Sequence, residues 1–179
     1  MNQSADPWVR HMKLPSGAAV LVRPLTADDD ALIRDLLEHV SRHDLRLRFF
    51  GSIKTFSSTF IHRLTDLDRH SAMALIAFDP LVNLPIGVVR LHYSDLEQSE
   101  FAILLRSDAH GHGLGWTLMK LIIEFAVSIG LKRVGGKVLQ ENTVMIQMCR
   151  ELGFAITTDR SDRGICNVSL ELAAKPLAI

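Results

Sequence analysis

The chain has 179 residues, with 20 lysines and arginines and 20 aspartates and glutamates, so its formal net charge at pH 7 is zero. This length suits one domain with a substantial core, and the balanced charge gives no bulk attraction for nucleic acid. The N-terminal residues lack an apolar signal core, and the longest apolar stretches are much shorter than a membrane span. We therefore expect a cytoplasmic protein with neither nucleic acid nor membrane as a partner.

Histidine and cysteine spacing gives little support for a metal site. Cys149 and Cys166 form no CxxC motif. His110 and His112 are close in sequence, but a glycine-rich turn would splay them, and no carboxylate lies at ligand spacing. We expect no metal, and we expect these two histidines to flank phosphate instead.

In the first half of the chain, residues 1–17 are predicted to form an N-terminal arm before the first strand, Ala18–Arg23. Thr26 and Asp29 then have the spacing of a helix cap, with an acidic first turn. The helix that follows is predicted to bury Ala31, Leu32, Leu36, Leu37 and Val40 on one face. Two further helices are predicted at Ser41–Phe50, which carries Arg42, Arg46 and Arg48, and at Thr55–Leu64.

In the second half, three strands are predicted to form an antiparallel meander, and a strand, a helix and a closing hairpin end the domain at residue 172. The C-terminal tail, residues 173–179, carries no pattern. The meander strands are Ala72–Asp79, Ile86–His92 and Phe101–Leu105; the later elements are Arg133–Leu139, Asn142–Leu152, Phe154–Thr158 and Cys166–Leu172.

The stretch from Ser99 to Val127 joins an apolar strand to a long amphipathic helix through the segment HGHGLG, His110–Gly115. The first amides of a helix have no internal partner, and the helix dipole adds partial positive charge there. Glycines allow a phosphate to approach the backbone closely. The segment therefore indicates a phosphate-binding turn, and the alternative is an ordinary tight turn without a ligand.

Three phosphate-binding motifs can be compared with this segment. A P-loop requires Gly-Lys-Ser/Thr where this chain has Leu114-Gly115-Trp116. A Rossmann fingerprint requires a third glycine where Trp116 stands. The Gln/Arg-x-x-Gly-x-Gly/Ala loop, which binds the pyrophosphate of acyl-CoA in GNAT N-acetyltransferases, is similar to His110–Gly115, with His110 in place of Gln or Arg.

A second segment supports the resemblance to the GNAT family. Asn142, Gly153 and Phe154 keep the spacing at which an asparagine opens the next helix of that family and Gly-Phe ends it. The resemblance spans Ala18 to Leu172 and is closest to the acetyltransferase domain of bacterial protein lysine acetyltransferases, through RPLTADDD, LRLRFFG, SEFA and GKVLQEN.

The resemblance implies an α/β (α+β) GNAT fold, with a central, mixed, mostly antiparallel sheet of about six to seven strands. Helices flank this sheet, and two of its strands splay at the cofactor site. In this family the region around Ser41–Phe50 builds one wall of the acceptor cleft, so its arginines could contact substrate; the alternative is a solvated face. The resemblance also implies acetyl-CoA as co-substrate, bound by Leu104, Leu105, His110, Gly111, His112, Gly113, Leu114, Gly115, Trp116 and Asn142.

The resemblance makes Glu100 the candidate general base, because many members place a glutamate near the start of this strand. The alternative is an ordinary solvated glutamate, with Glu97 as the substitute base. Cys149 stands where many members have the tyrosine that protonates the leaving thiolate, and the only tyrosine, Tyr93, lies elsewhere. The general acid is therefore unassigned.

The resemblance predicts an acetyl-CoA-dependent N-acetyltransferase whose acceptor is a protein lysine and which transfers the acetyl group directly in a ternary complex. Two alternatives remain open at this point. The acceptor could be a small amine, or the chain could be a non-catalytic acyl-CoA-binding regulatory domain. A homodimer is compatible with either.

Overall fold

A computed structural model describes residues 6–173, which form a central sheet of eight strands with helices against both faces. The predicted tail from residue 174 onward and the first five residues of the predicted arm lie outside the described residues. The strands are β1 Arg10–Lys13, β2 Ala19–Pro24, β3 Ala72–Asp79, β4 Leu84–Tyr93, β5 Ser99–Leu105, β6 Arg133–Leu139, β7 Ala155–Thr158 and β8 Ile165–Glu171. The helices are α1 Asp30–Glu38, α2 Arg42–Phe49, α3 Ser58–Thr65, α4 Leu114–Ser128 and α5 Thr143–Glu151.

The strands lie in the order β1-β2-β3-β4-β5-β6-β8-β7. Every neighbouring pair is antiparallel except β5 and β6, which run parallel. The prediction of a mixed, mostly antiparallel sheet flanked by helices is confirmed. The sheet has eight strands, where about six to seven were predicted.

The missed strand is β1, in the segment predicted to be an arm. Arg10–Lys13 pairs with Ala19–Val22 of β2, so the N-terminal segment continues the sheet. Trp8 packs edge-on against Phe125 of α4, with ring centroids 5.4 Å apart. The sequence of this four-residue strand shows no apolar alternation, because β1 is an edge strand whose side chains alternate between half-buried and exposed.

The sheet has a core on each face because β3 is buried on both. Met73, Leu75 and Ala77 face α4 and α5, and the alternate residues of β3 face α1, α2 and α3. Within α1 the buried residues include Ile33, whereas Ala31 is exposed, so the predicted apolar face was rotated by part of a turn.

The predicted cap at the start of the first helical segment is present and carries an additional ion pair. The Asp29 carboxylate accepts a hydrogen bond from the Thr26 backbone amide at 2.8 Å. It also accepts two from the Arg23 guanidinium, each at 2.8 Å, and Asp29 is only 6% exposed. This buried pair joins β2 to the helical layer that covers one face of the sheet.

No helix within residues 6–173 is both long enough and apolar enough to span a lipid bilayer.

Candidate active site

The glycine-rich segment forms the turn between β5 and α4. Gly111 and Gly113 each have φ +83°, a left-handed conformation that glycine adopts without steric cost. Helix α4 starts at Leu114, and the first backbone bond of its first turn runs from Thr117 N to Gly113 O, 3.0 Å. The amides of Leu114, Gly115 and Trp116 precede that bond and point out of the helix end, as a phosphate site requires.

The two left-handed glycines differ in their surroundings. A Cβ on Gly113 would lie 2.7 Å from Cγ and Cδ of Pro15, whereas a Cβ on Gly111 would meet nothing within 4 Å. Pro15, which the sequence placed in the arm, therefore supports the turn from behind. Gly111 is exposed on the open side, where a ligand can approach.

The two parallel strands diverge beside this turn. β5 and β6 share a single registered pair, Glu100 with Gly135, near the start of both strands. Beyond it β5 pairs only with β4, as far as Leu105 opposite Gly87. The opening exposes β5 backbone on one side from about Ile103 onward, and the predicted splay is present there.

The register of β5 corrects one of the predicted cofactor residues. The Arg106 amide donates to Ile86 O at 3.0 Å. In an antiparallel pair, every second residue exchanges hydrogen bonds with its opposite residue, so counting back two residues from Arg106 makes Leu104 hydrogen-bonded to Val88 of β4. The Leu104 amide therefore points to β4, and its side chain is buried among α1–α3. Leu105 and Ile103, whose backbone groups face the opening, are the donors available to a ligand.

Glu100 lies at the start of β5, on the sheet face that α2 covers. Glu100, Ala102 and Leu104 alternate onto this face, opposite His92, Arg90 and Val88 of β4. Both Glu100 and His92 are exposed. The face thus offers a carboxylate and an imidazole to solvent, beside the small side chain of Ala102.

Two arginines, Arg48 and Arg90, lie near this pair. Arg90 is 5% exposed, and its Nη2 donates to Leu64 O at 3.0 Å. Burial and the neighbouring Arg48 charge lower the pKa of Arg90 to about 10. Burial, Arg90 and Arg48 also lower the pKa of His92, against the opposing effect of Glu100, so its imidazole is neutral at pH 7. Sequence reasoning missed His92 and Arg90; the signal available was the strand alternation that places them opposite Glu100 and Ala102.

The start of helix α2 is held over the site by hydrogen bonds to Ser107, in the connection that follows β5. The Ser41 amide donates to Ser107 Oγ at 2.8 Å, and Ser107 Oγ donates to the Asp44 carboxylate. Burial tends to raise the pKa of Asp44, but the hydrogen bonds from Ser107 and Ser41 and the charge of nearby His110 lower it overall.

On the other side of the opening, Arg46 of α2 forms an ion pair with Glu141, the residue before Asn142. Asn142 caps α5, because its Oδ1 accepts a hydrogen bond from the Met145 amide at 3.1 Å. The Asn142 side-chain amide group remains a candidate donor to a ligand.

The structure offers no obvious general acid at the predicted position. Burial raises the pKa of the Cys149 thiol to about 12, and the residue is fully buried in the core. Tyr93 Oη donates to Arg69 O at 3.3 Å, away from the turn. Within residues 6–173, no three His, Cys, Asp or Glu side chains are grouped to hold a metal ion.

Comparisons with known proteins place these features in a family context. The family described as "Acetyltransferase (GNAT) domain" matches residues 19–155. Acetyltransferase PA5475 of Pseudomonas aeruginosa is 31% identical over 163 residues, covering 88% of this chain and 85% of that protein.

Two solved structures are similar in fold. The GNAT domain of S. lividans PAT has a TM-score of 0.85 at 25% identity, covering 92% of this chain and 97% of that one. Spermidine N-acetyltransferase from Vibrio cholerae, solved with CoA and spermine, has a TM-score of 0.68 at 18% identity, covering 85% of this chain and 95% of that one.

Proposed function

Because this chain belongs to the GNAT family of acetyltransferases, which take the acetyl group from acetyl-CoA, we propose that it acetylates lysine side chains of proteins. Transfer is direct, within a complex that contains both substrates. The observation that carries this proposal is the open acceptor face. Glu100 and His92 lie at the surface beside the splayed strands, where a lysine extended from a folded protein can reach.

The charge of this face disfavours a polyamine as the acceptor. Arg48 and Arg90 line the crevice next to Ala102, and Glu100 is the carboxylate that faces them. A spermidine-like cation brings several positive charges and would be repelled by the arginines, whereas a protein lysine brings one. The likeness to the GNAT domain of S. lividans PAT over most of both chains supports the same choice.

We propose that the turn binds the pyrophosphate of acetyl-CoA. The amides of Leu114, Gly115 and Trp116 face the ligand, and Gly111 and Gly113 set the turn. His110 and His112 flank the phosphates, and Asn142 donates from the start of α5. The Leu105 amide, freed by the splay, takes the role of hydrogen-bond donor to the thioester carbonyl oxygen.

Glu100 is proposed as the general base. A lysine amine has a pKa near 10.4, so at neutral pH almost all of it is protonated and cannot attack a thioester. Glu100, directly or through a water, accepts one proton from the lysine ammonium, and the neutral amine nitrogen then bonds to the carbonyl carbon. The carbon–sulfur bond breaks as the CoA thiolate leaves, and the second proton that the nitrogen loses passes through solvent to the thiolate.

The proposal is tested by incubating the purified chain and acetyl-CoA with a panel of proteins, N-blocked lysine and spermidine. Released CoA thiol gives the rate, and mass spectrometry of the products locates the acetyl group. We expect acetylation at lysine Nε of proteins and little turnover of spermidine. A higher kcat/KM for spermidine than for any protein would contradict the proposed acceptor.

A further inference from the structure

The acceptor face contains a buried arginine without a carboxylate partner. Arg90 is 5% exposed, and within residues 6–173 it donates a hydrogen bond to a backbone carbonyl, Leu64 O. No carboxylate within residues 6–173 comes within ion-pair distance of it. Burying a guanidinium without an anion is costly, so its retention here requires an explanation.

A second arginine lies beside the first. The half-buried Arg48 guanidinium sits 4.7 Å from the Phe49 ring centroid, and it too lacks an ion-pair partner in the described part of the chain. Burial lowers the pKa of Arg48 against the opposing charge of Glu100, and the Arg48 charge in turn lowers the pKa of Arg90. Arg48, Arg90 and Glu100 together leave an excess of one positive charge on this face.

The surrounding space shows from which side a balancing anion can come. The cavity that the two arginines line together with Ile33, Leu36 and Ala102, among others, has a volume of about 10 Å³, enough for one water at most. A carboxylate therefore does not fit inside this cavity. The outer side, where Glu100 and His92 are exposed, is open.

The cofactor is a poor source for this anion. The pyrophosphate turn follows the far end of β5, and at about 3.3 Å per residue the three steps from Ala102 to Leu105 already span about 10 Å. Arg48 and Arg90 lie at the Ala102 end. The anion that fits this position belongs to the acceptor.

We propose that Arg48, supported by Arg90 behind it, binds a carboxylate of the acceptor, so that the preferred lysine lies in an acidic segment with Asp or Glu close by. This inference rests on the proposed lysine acceptor and specifies its sequence context. In an extended peptide, residues two apart share a face, so a glutamate two residues from the lysine can reach Arg48 while the lysine enters beside Ala102. A guanidinium also matches the two oxygens of a carboxylate.

The test uses two blocked peptides that differ only in having Glu or Gln two residues from a single lysine. The wild-type chain is expected to show a kcat/KM about tenfold higher for the Glu peptide, the scale of a charge-assisted hydrogen bond. Arg48→Gln should bring the ratio of the two kcat/KM values close to one, and Arg48→Lys should leave an intermediate ratio.

Arg42→Gln is the matched control, since Arg42 is an exposed arginine on the same helix. It should keep the wild-type ratio. A wild-type ratio near one, or a preference that survives Arg48→Gln, overturns the inference and leaves the lysine acceptor intact. If neither peptide is acetylated, the proposed function itself fails, and this inference fails with it.

Discussion

Gly111 offers a direct test of the phosphate site, because a matched glycine exists elsewhere in the chain. Gly111 and Gly130 have φ +83° and +80°, and a Cβ on either would meet nothing within 4 Å. Replacing either with glutamate places a side chain in the same left-handed conformation, at a similar cost of about 1–2 kcal/mol in stability. The two variants should therefore melt at nearly the same temperature.

Only Gly111→Glu brings a carboxylate to the proposed pyrophosphate position. Two like charges 4 Å apart repel by about 1 kcal/mol in water and about 4 kcal/mol at an effective dielectric constant of 20. Because Gly111 is exposed, we expect a repulsion energy between these limits. Repulsion of this size weakens acetyl-CoA binding by about tenfold to a hundredfold.

Isothermal titration calorimetry of both variants with acetyl-CoA provides the measurement, with thermal melting as the check on folding. Gly130→Glu should bind like wild type, since Gly130 follows the far end of α4. Equal affinity of Gly111→Glu and Gly130→Glu would refute the assignment of the turn as the pyrophosphate site. Gly113→Glu is a weaker test, because its Cβ would collide with Pro15 whether or not a ligand binds there.

Three further predictions concern the base, the α5 cap and the buried ion pair. Glu100→Gln should lower kcat by about a hundredfold or more with acetyl-CoA affinity nearly unchanged. If His92→Gln shows the large loss of kcat instead, the general base is the neutral imidazole of His92. Asn142→Ala should lower the melting temperature by about 2–4 °C, for a lost cap of about 1 kcal/mol, and should also weaken acetyl-CoA binding, whereas unchanged binding in calorimetry would leave Asn142 as a cap alone. Asp29→Asn should destabilise the chain by about 2 kcal/mol at pH 7, seen by urea unfolding.

The Asp29 variant should also alter the response to acid. Burial tends to raise the pKa of Asp29, but hydrogen bonds from Arg23 and Thr26 and the Arg23 charge lower it overall. A carboxyl with a lower pKa in the folded state stabilises the fold above its unfolded pKa of about 3.9, and this contribution is lost as pH falls through the folded value. Wild type should therefore lose more stability than Asp29→Asn as the pH falls below about 4; parallel pH curves would contradict the role of the pair.

Much of the local structure at the proposed cofactor site could be predicted from the sequence, because local backbone requirements define it. A strand, a turn that needs left-handed residues and a helix start follow one another in Ser99–Val127, and glycine at Gly111 and Gly113 meets that need without any distant contact. Asn142 is likewise a cap whose partner, Met145, lies on the next turn. These features depend on neighbours in sequence.

The proposed acceptor face was decided by tertiary structure, because its residues come from separate elements. Arg48 lies on α2, Arg90 and His92 on β4, and Glu100 on β5, and only the β4–β5 register and the packing of α2 bring them together. The same register turned the Leu104 amide away from the opening and made Leu105 available. Pro15 contacts the glycine-rich turn, and β1 pairs with β2 at the edge of the sheet. Neither contact produces a periodic pattern in the short polar segment that contains both. The sequence by itself determined the glycine turn and helix start that we propose as the phosphate site, because these depend on neighbours along the chain. The fold determined which charges surround the proposed acceptor position, since electrostatic neighbours depend on distance in space.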